Sequence, residues 1–264
     1  MAYAIVSALQ RRIDIIIQSH KVLKLKMPAA PDLKDHRPRV AAERRARMRM
    51  RLIESAMIVF AQRGIGVSVI PEVIAAAGVS QGSFYNYFRT NDDLLAAVSE
   101  ALSHDMVQMI ESVVGDIEDP ALRVATGIRL YLHLARSYPV VAQFLSGTGL
   151  TLVGKKSAVY EYLPSDIKEG LKTGTFDEAS ADVALDMVAG AGVIAVHRMA
   201  QGKTTKDYPE RIVRAVLRSL GVSASSATKL TSAPLPKLVV SPESLLEKAQ
   251  EKLAEMAEPS NLRA

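Results

Sequence analysis

The side chains best equipped to read another molecule lie close together in SQGSFYNYF, residues 80–88. Gln81 and Asn86 carry carboxamides, which present a donor beside an acceptor and so pair bidentately with the edge of adenine. Ser83 adds a hydroxyl for a base or a phosphate, and Gly82 lets the backbone come close. Tyr85 and Tyr87 offer hydroxyls to phosphate and flat apolar surface to sugars or thymine methyl groups. For Tyr85, a half-buried core position with a wet hydroxyl is the competing reading. Phe84 and Phe88, four residues apart, fall on one helical face and point to a core. What is left facing outward is small, amide-bearing and aromatic, with little charge. Such a surface suits the major groove of DNA better than plain solvation.

The flanking residues can position this tip. Ser68 starts a short helix that tolerates Pro71 and favours Glu72 in its first turn. Val73, Ala76 and Ala77 give it a small apolar face. Gly78 then supplies a left-handed bend that glycine adopts cheaply. Ser80 stands where an N-cap belongs, and Gln81 to Phe88 makes barely two turns. Thr90 and Asp93 form a capping box that opens a long helix continuing to about Val114. The pattern is a helix-turn-helix over residues 68–88.

AAGVSQGSFYNYFRTNDDLL resembles the signature of TetR-type transcriptional regulators. The likeness reaches back through an Arg-rich first helix and, more loosely, forward to about Pro236. The chain departs from the pattern at Val69 (often Thr), Ile74 (often a small residue) and Asn91 (often Lys), so two usual phosphate contacts differ. The resemblance implies a homodimer on a palindromic operator, with two recognition helices in successive major grooves about 34 Å apart. It also implies a small-molecule effector in a second domain, whose binding shifts the fourth helix and pivots the reading heads. Such an effector must favour the off-DNA conformation, and DNA must then weaken effector binding. The family prior is repression; an activator on the same scaffold is the alternative.

Charge is distributed to match. The net charge is only +5, but Arg37, Arg39, Arg44, Arg45, Arg47, Arg49 and Arg51 are opposed only by Glu43 between residues 37 and 51. Directly before a helix-turn-helix this run reads as phosphate-binding. Arg45, Arg49 and Ser68 are the candidate backbone clamps, and Asn91 can offer its amide at a helix N-terminus. The Arg run alone would also permit a nonspecific architectural DNA protein, which has no use for a large helical body.

With no Cys among 264 residues, disulfides, thiolate catalysis and Cys-based zinc sites are excluded, and a reducing cytoplasm fits. The His residues at 20, 36, 104, 133 and 197 are far apart, and HExxH, P-loop, GxGxxG and nucleophile-elbow patterns are missing. No enzyme and no cofactor or metal is expected. No stretch offers about twenty uninterrupted apolar residues, so no membrane span is expected. Residues 1–38 form an N-terminal extension: an amphipathic helix through Ile5, Leu9, Ile13, Ile16 and Ile17, or residues upstream of a natural start at Met27.

Hydrophobic content of 48% with only 5% aromatics points to aliphatic helix packing, and the fold is expected to be all-α. A DNA-binding domain spans 39–114, its first helix running from about Val40 to Gln62 with Ile53, Ala56, Met57 and Phe60 inward. A ligand-binding and dimerisation domain spans 115–221. Its helices are Pro120–Ser137, one to about Leu145, one from about Ser157 to Lys172 interrupted at Pro164, Glu178–Gln201 and Asp207–Leu220. Small residues at 188–193 with Ile194, Val196 and Met199, and a stripe of Ile212, Val213, Val216, Leu217 and Leu220, are either intrachain core or a dimer face. The dimer face is favoured, because a palindrome needs two heads. His104, His133 and His197, with Tyr131, Gln143, Phe144, Tyr160 and Met187, are the candidates to line a cavity for a small lipophilic or aromatic effector. Residues 222–264 read as a Ser/Ala/Thr/Pro linker and a last helix from Ser241. That helix docks on the body, pairs with a second copy or frays.

Overall fold

The computed structural model describes residues 36–148, 159–177 and 180–257. The readings made on residues 1–35, including Met27, lie outside them. The helices are α1 (His36–Arg63), α2 (Ile70–Ala77), α3 (Gln81–Tyr85), α4 (Asn91–Val114), α5 (Pro120–Ser137) and α6 (Pro139–Thr148). Then come α7 (Val159–Lys172), α8 (Ala181–Ala200), α9 (Tyr208–Ser219), α10 (Ala224–Ser232) and α11 (Leu245–Ala257). Among the described residues there is no strand. The chain divides between residues 47 and 48 into two compact units.

In the first unit α1 begins at His36, ahead of the expected start, because Pro38 falls in the first turn where a missing N–H costs nothing. Arg39, Arg44, Arg45 and Arg47 are exposed on it. Arg39 pairs with Glu43 at 3.2 Å, and Arg45 Nε donates to the Ala41 carbonyl.

The second unit carries the rest of α1, whose Ile53, Ala56, Met57 and Phe60 are buried as their spacing requires. Gly64, at φ 82°, ends the helix. The Asp119 carboxylate accepts from the Ala121 and Leu122 N–H groups and starts α5. Three breaks expected from sequence do not occur. The helix expected to end near Leu145 runs on through Gly147 to Thr148, and α7 passes through Pro164, whose missing N–H removes one ladder bond. The Ser/Ala-rich stretch after Gly221 folds as α10, capped by the Ser223 hydroxyl on the Ser226 N–H, so it is not a linker.

The stripe on α9 belongs to the chain's own core: Val213, Val216, Leu217 and Leu220 are at most 4% exposed. α8 divides instead. Ala184, Val188, Gly192, Ala195 and Val196 face inward, whereas Val183, Met187 and Ile194 are 46%, 37% and 55% exposed. By length and hydropathy α8 would suffice to cross a bilayer, contrary to expectation, although Asp182, Asp186 and Arg198 keep it from being an unbroken apolar run. Its inward half is packed against its neighbours, and the outer half is left as an apolar strip.

Candidate nucleic-acid interface and effector cavity

The turn between α2 and α3 is built by local chemistry. Gly78 adopts φ 61°, and the bonds from Gly78 N–H to the Ala75 carbonyl and from Val79 N–H to the Ile74 carbonyl close the end of α2. The Ser80 hydroxyl accepts from the Ser83 N–H at 3.2 Å, so its oxygen is committed to capping α3. Phe84 and Phe88 are buried with ring centroids 6.0 Å apart, and the Arg49 guanidinium lies 5.5 Å above the Phe88 ring. Arg49 is thereby anchored beside the head.

α3 is a single turn, shorter than the spacing suggested, and Asn86 follows it as the C-cap. Gln81, Gly82, Tyr85 and Asn86 are nonetheless exposed together, with Ser83 and Tyr87 half-buried at their edge. Tyr85 is 45% exposed and stacks edge-on against Phe84 at 5.4 Å, so it stands outside the core. Nothing lies within 4 Å of the position a Cβ would take at Gly82, which leaves room for a close backbone approach.

Ser68 does not cap α2. Val69 takes the N-cap position with its side chain wholly buried, and its N–H is satisfied from across the head by Asn91 Oδ1 at 3.2 Å. Ser68 itself is exposed one residue earlier. Asn91 is therefore a structural tie between α2 and α4. The Thr90 hydroxyl accepts from Asp93 N–H at 3.0 Å, and Asp93 reaches back to Arg89 N–H, one residue before the expected partner.

Beyond this tie α4 becomes one wall of a cavity of about 180 Å³. Leu102, Met106 and Ile110 of α4 face Val124 and Ile128 of α5 and Val188 of α8. One end is charged. Arg123 donates from one terminal nitrogen to Glu111 Oε2 at 3.0 Å and from the other to the Gly115 carbonyl at 2.9 Å; its Nε lies 2.9 Å from Asp166 Oδ1. Burial pushes both carboxyls up from their ordinary range, against the pull of the guanidinium. Tyr131 also faces the cavity. Its hydroxyl makes no hydrogen bond among the described residues, and burial pushes its pKa up to about 12, so it stays protonated.

Two family models match the chain. One, described as bacterial regulatory proteins of the tetR family, covers residues 52–98, and the other, the tetracyclin repressor-like C-terminal domain, covers 119–233. The chain belongs to the TetR family of regulators.

Within that family, it is 29% identical over 113 residues to the HTH-type transcriptional repressor DhaR of Mycobacterium sp. (strain GP1), covering 43% of this chain and 52% of that protein. The chain spans about half the length of the curated relatives it matches. A crystal structure of RolR in complex with resorcinol matches with a TM-score of 0.59 at 28% identity, over 75% of this chain and all of that one. FadR from Bacillus subtilis, solved with stearoyl-CoA, shares the fold at a TM-score of 0.55 and 22% identity, over 66% of this chain and 98% of that one.

In this TetR-family chain Tyr131 is the one expected pocket residue that lines the cavity among the described residues. Phe144 is wholly buried elsewhere, its ring 6.3 Å from Phe60. His133 binds Glu210 at 2.8 Å, and His197 bonds to Ser146 and Gln201 on the surface. His104 and Gln143 are exposed, Met187 lies on the outer strip of α8, and the Tyr160 side chain is outside the described residues. The charged end was missed. Its three members sit on three helices, at 111, 123 and 166, and no sequence spacing links them.

Proposed function

We propose that the chain is a ligand-responsive, sequence-specific DNA-binding regulator that represses from a palindromic operator and is released by a compact neutral effector. One observation carries the reading: α4 ties the reading head at Asn91 and lines the cavity at Leu102, Met106 and Ile110. A displacement of that helix by a bound molecule must reach α2 and α3. The exposed carboxamides of Gln81 and Asn86 supply base reading, with Ser83, Tyr85 and Tyr87 on sugars and phosphates and Arg45, Arg49 and Ser68 on the backbone. A second copy pairs through the outer strip of α8, where Val183, Met187 and Ile194 leave apolar surface beside Gly190. The named role of DhaR supports repression over activation.

The cavity supports an effector of one ring. Its volume of about 180 Å³ is near the ~150 Å³ at which an apolar cavity admits benzene. At the charged end two carboxylates outnumber one guanidinium already committed to them, so a ligand carboxylate is repelled and a hydroxyl donor is favoured. The likeness to RolR, solved with resorcinol, supports the same class.

Selection of bound fragments from the source genome, followed by gel shift with resorcinol added, tests the proposal. Palindromic fragments released by resorcinol but not by benzoate are expected. Binding without site preference would overturn the regulator reading, and release by benzoate alone would overturn the effector class.

A further inference from the structure

The C-terminal helix α11 lies beyond the residues matched by either family model. Its described leucines are docked on the body. Leu245, Leu246 and Ala249 are wholly buried, and Leu253 packs against the same core. Three polar contacts tie it to three different places. At its first turn the Leu245 N–H donates to Asp105 Oδ2 of α4 at 2.6 Å, so a carboxylate from another helix satisfies an N–H that helix geometry leaves open. Two residues on, the Tyr138 hydroxyl between α5 and α6 donates to Glu247 Oε2 at 2.6 Å. Near the far end, Lys252 Nζ donates at 2.8 Å to the hydroxyl of Ser55 on α1, a fully buried group that in turn donates to the Arg51 carbonyl.

These catches join elements whose relative movement the proposed function requires. Ser55 sits on the helix that packs the reading head. Asp105 lies between Leu102 and Met106, on the stretch of α4 that walls the cavity, and Tyr138 belongs to the helix pair behind it. Lys252 is desolvated enough to lower its affinity for a proton, with Glu54 nearby as its opposing charge. Lys248 and Glu243, 2.6 Å apart, pin the turn leading into the helix.

We infer that α11 is a clasp: it locks α1 to the cavity wall of α4, so that the reading head holds one orientation until an effector moves α4. This deepens the regulator reading and rests on it for the role of the orientation; the mechanical part stands alone. The positioning residues are Asp105, Tyr138, Glu247 and Lys252. An α4 shift that lengthens the Asp105–Leu245 contact either drags α11, and with it Ser55 and α1, or releases the clasp. In the first case the motion at the cavity reaches the head through α1 as well as through α4; in the second the head loses its fixed orientation.

The chain contains no Cys, so introduced thiols label cleanly. Nitroxides on Val67→Cys, in the head, and Lys172→Cys, at the end of α7, report intrachain separation by pulsed electron resonance when diluted with unlabelled chain. Three backgrounds are compared: the natural sequence, Lys252→Met and a chain ending at residue 240. Lys252→Met removes the Ser55 catch while keeping the buried leucines, so it guards against a truncation that fails to fold. A narrow distribution is expected for the natural chain, one roughly twofold broader for the truncation as the head samples more orientations, and an intermediate one for Lys252→Met. Operator affinity should fall in the same order while binding to random DNA is unchanged. Identical distributions in the natural and Lys252→Met chains would overturn the clasp. Absence of operator preference in the natural chain would instead overturn the regulator reading, leaving the distances to decide the clasp.

Discussion

At its N-terminal end α4 is held within the helix-turn-helix itself: Thr90 caps it, Asp93 reaches back to Arg89, and Asn91 accepts from the Val69 N–H at the start of α2. In its middle it is defined from outside that motif, by the helices of the body. Leu102, Met106 and Ile110 acquire a role only from α5 and α8, and Glu111 only from Arg123 and Asp166. One end belongs to a small, rigid motif whose parts specify each other. The other belongs to a cavity that exists because several helices leave space among them. A helix built this way can pass a cavity event to a motif too stiff to absorb it, and four substitutions probe that contrast.

The largest effect should come from the head's core. Phe84→Ala removes a wholly buried ring and should cost about 3–5 kcal/mol by chemical denaturation, abolishing specific DNA binding. A loss below about 1 kcal/mol, well under the cost of emptying a packed site, would mean the head is not the packed unit described. Asn86→Ala comes next. The side chain is exposed, so stability should hold while operator affinity drops by about 1–3 kcal/mol and weak binding to random DNA persists. Unchanged selectivity in a competition gel shift would remove Asn86 from the reading surface.

Asn91→Ala separates two roles for one residue. As a tie to Val69 it should cost about 1 kcal/mol of stability and leave the salt dependence of DNA binding alone. A salt slope lowered by about one unit at unchanged stability would make it a phosphate contact instead. The smallest effect belongs to the cavity. Tyr131→Phe removes a hydroxyl with no partner among the described residues, so the melting temperature should not fall. Affinity for a dihydroxybenzene should weaken in calorimetry by about 1 kcal/mol, the net worth of one neutral hydrogen bond. A destabilised protein would show that the hydroxyl already serves the fold.

The same contrast decides what the sequence could tell. Gly78, Ser80, Phe84, Phe88 and Thr90 act over one to four residues, and each was readable because its job is finished within that distance. Of the cavity only Tyr131 was read among the described residues, since His and aromatic residues attract attention as ligand groups whereas Glu111, Arg123 and Asp166 look like ordinary helix-surface charges. α10 was hidden by composition: ASSATKLTS has little apolar content and buries only Ala227 and Thr231, so its cap at Ser223 was its one local signal. The α9 stripe was correctly seen as apolar, but periodicity does not say whether the neighbour is the same chain or another one, and here it is the same chain. On α8 the expected face was part of the exposed apolar strip: Gly190 and Ile194 belonged to it, Val196 is buried, and Val183 and Met187 were hidden beside Asp182 and Asp186.

The account turns on α4 carrying a cavity event to the reading head. Its most direct test is the affinity of resorcinol for the protein free and saturated with its selected operator, measured by calorimetry. Coupling through α4 predicts binding about 5–150-fold weaker on the operator, as reciprocity demands of a molecule that favours the off-DNA state. Equal affinities in the two states would contradict it.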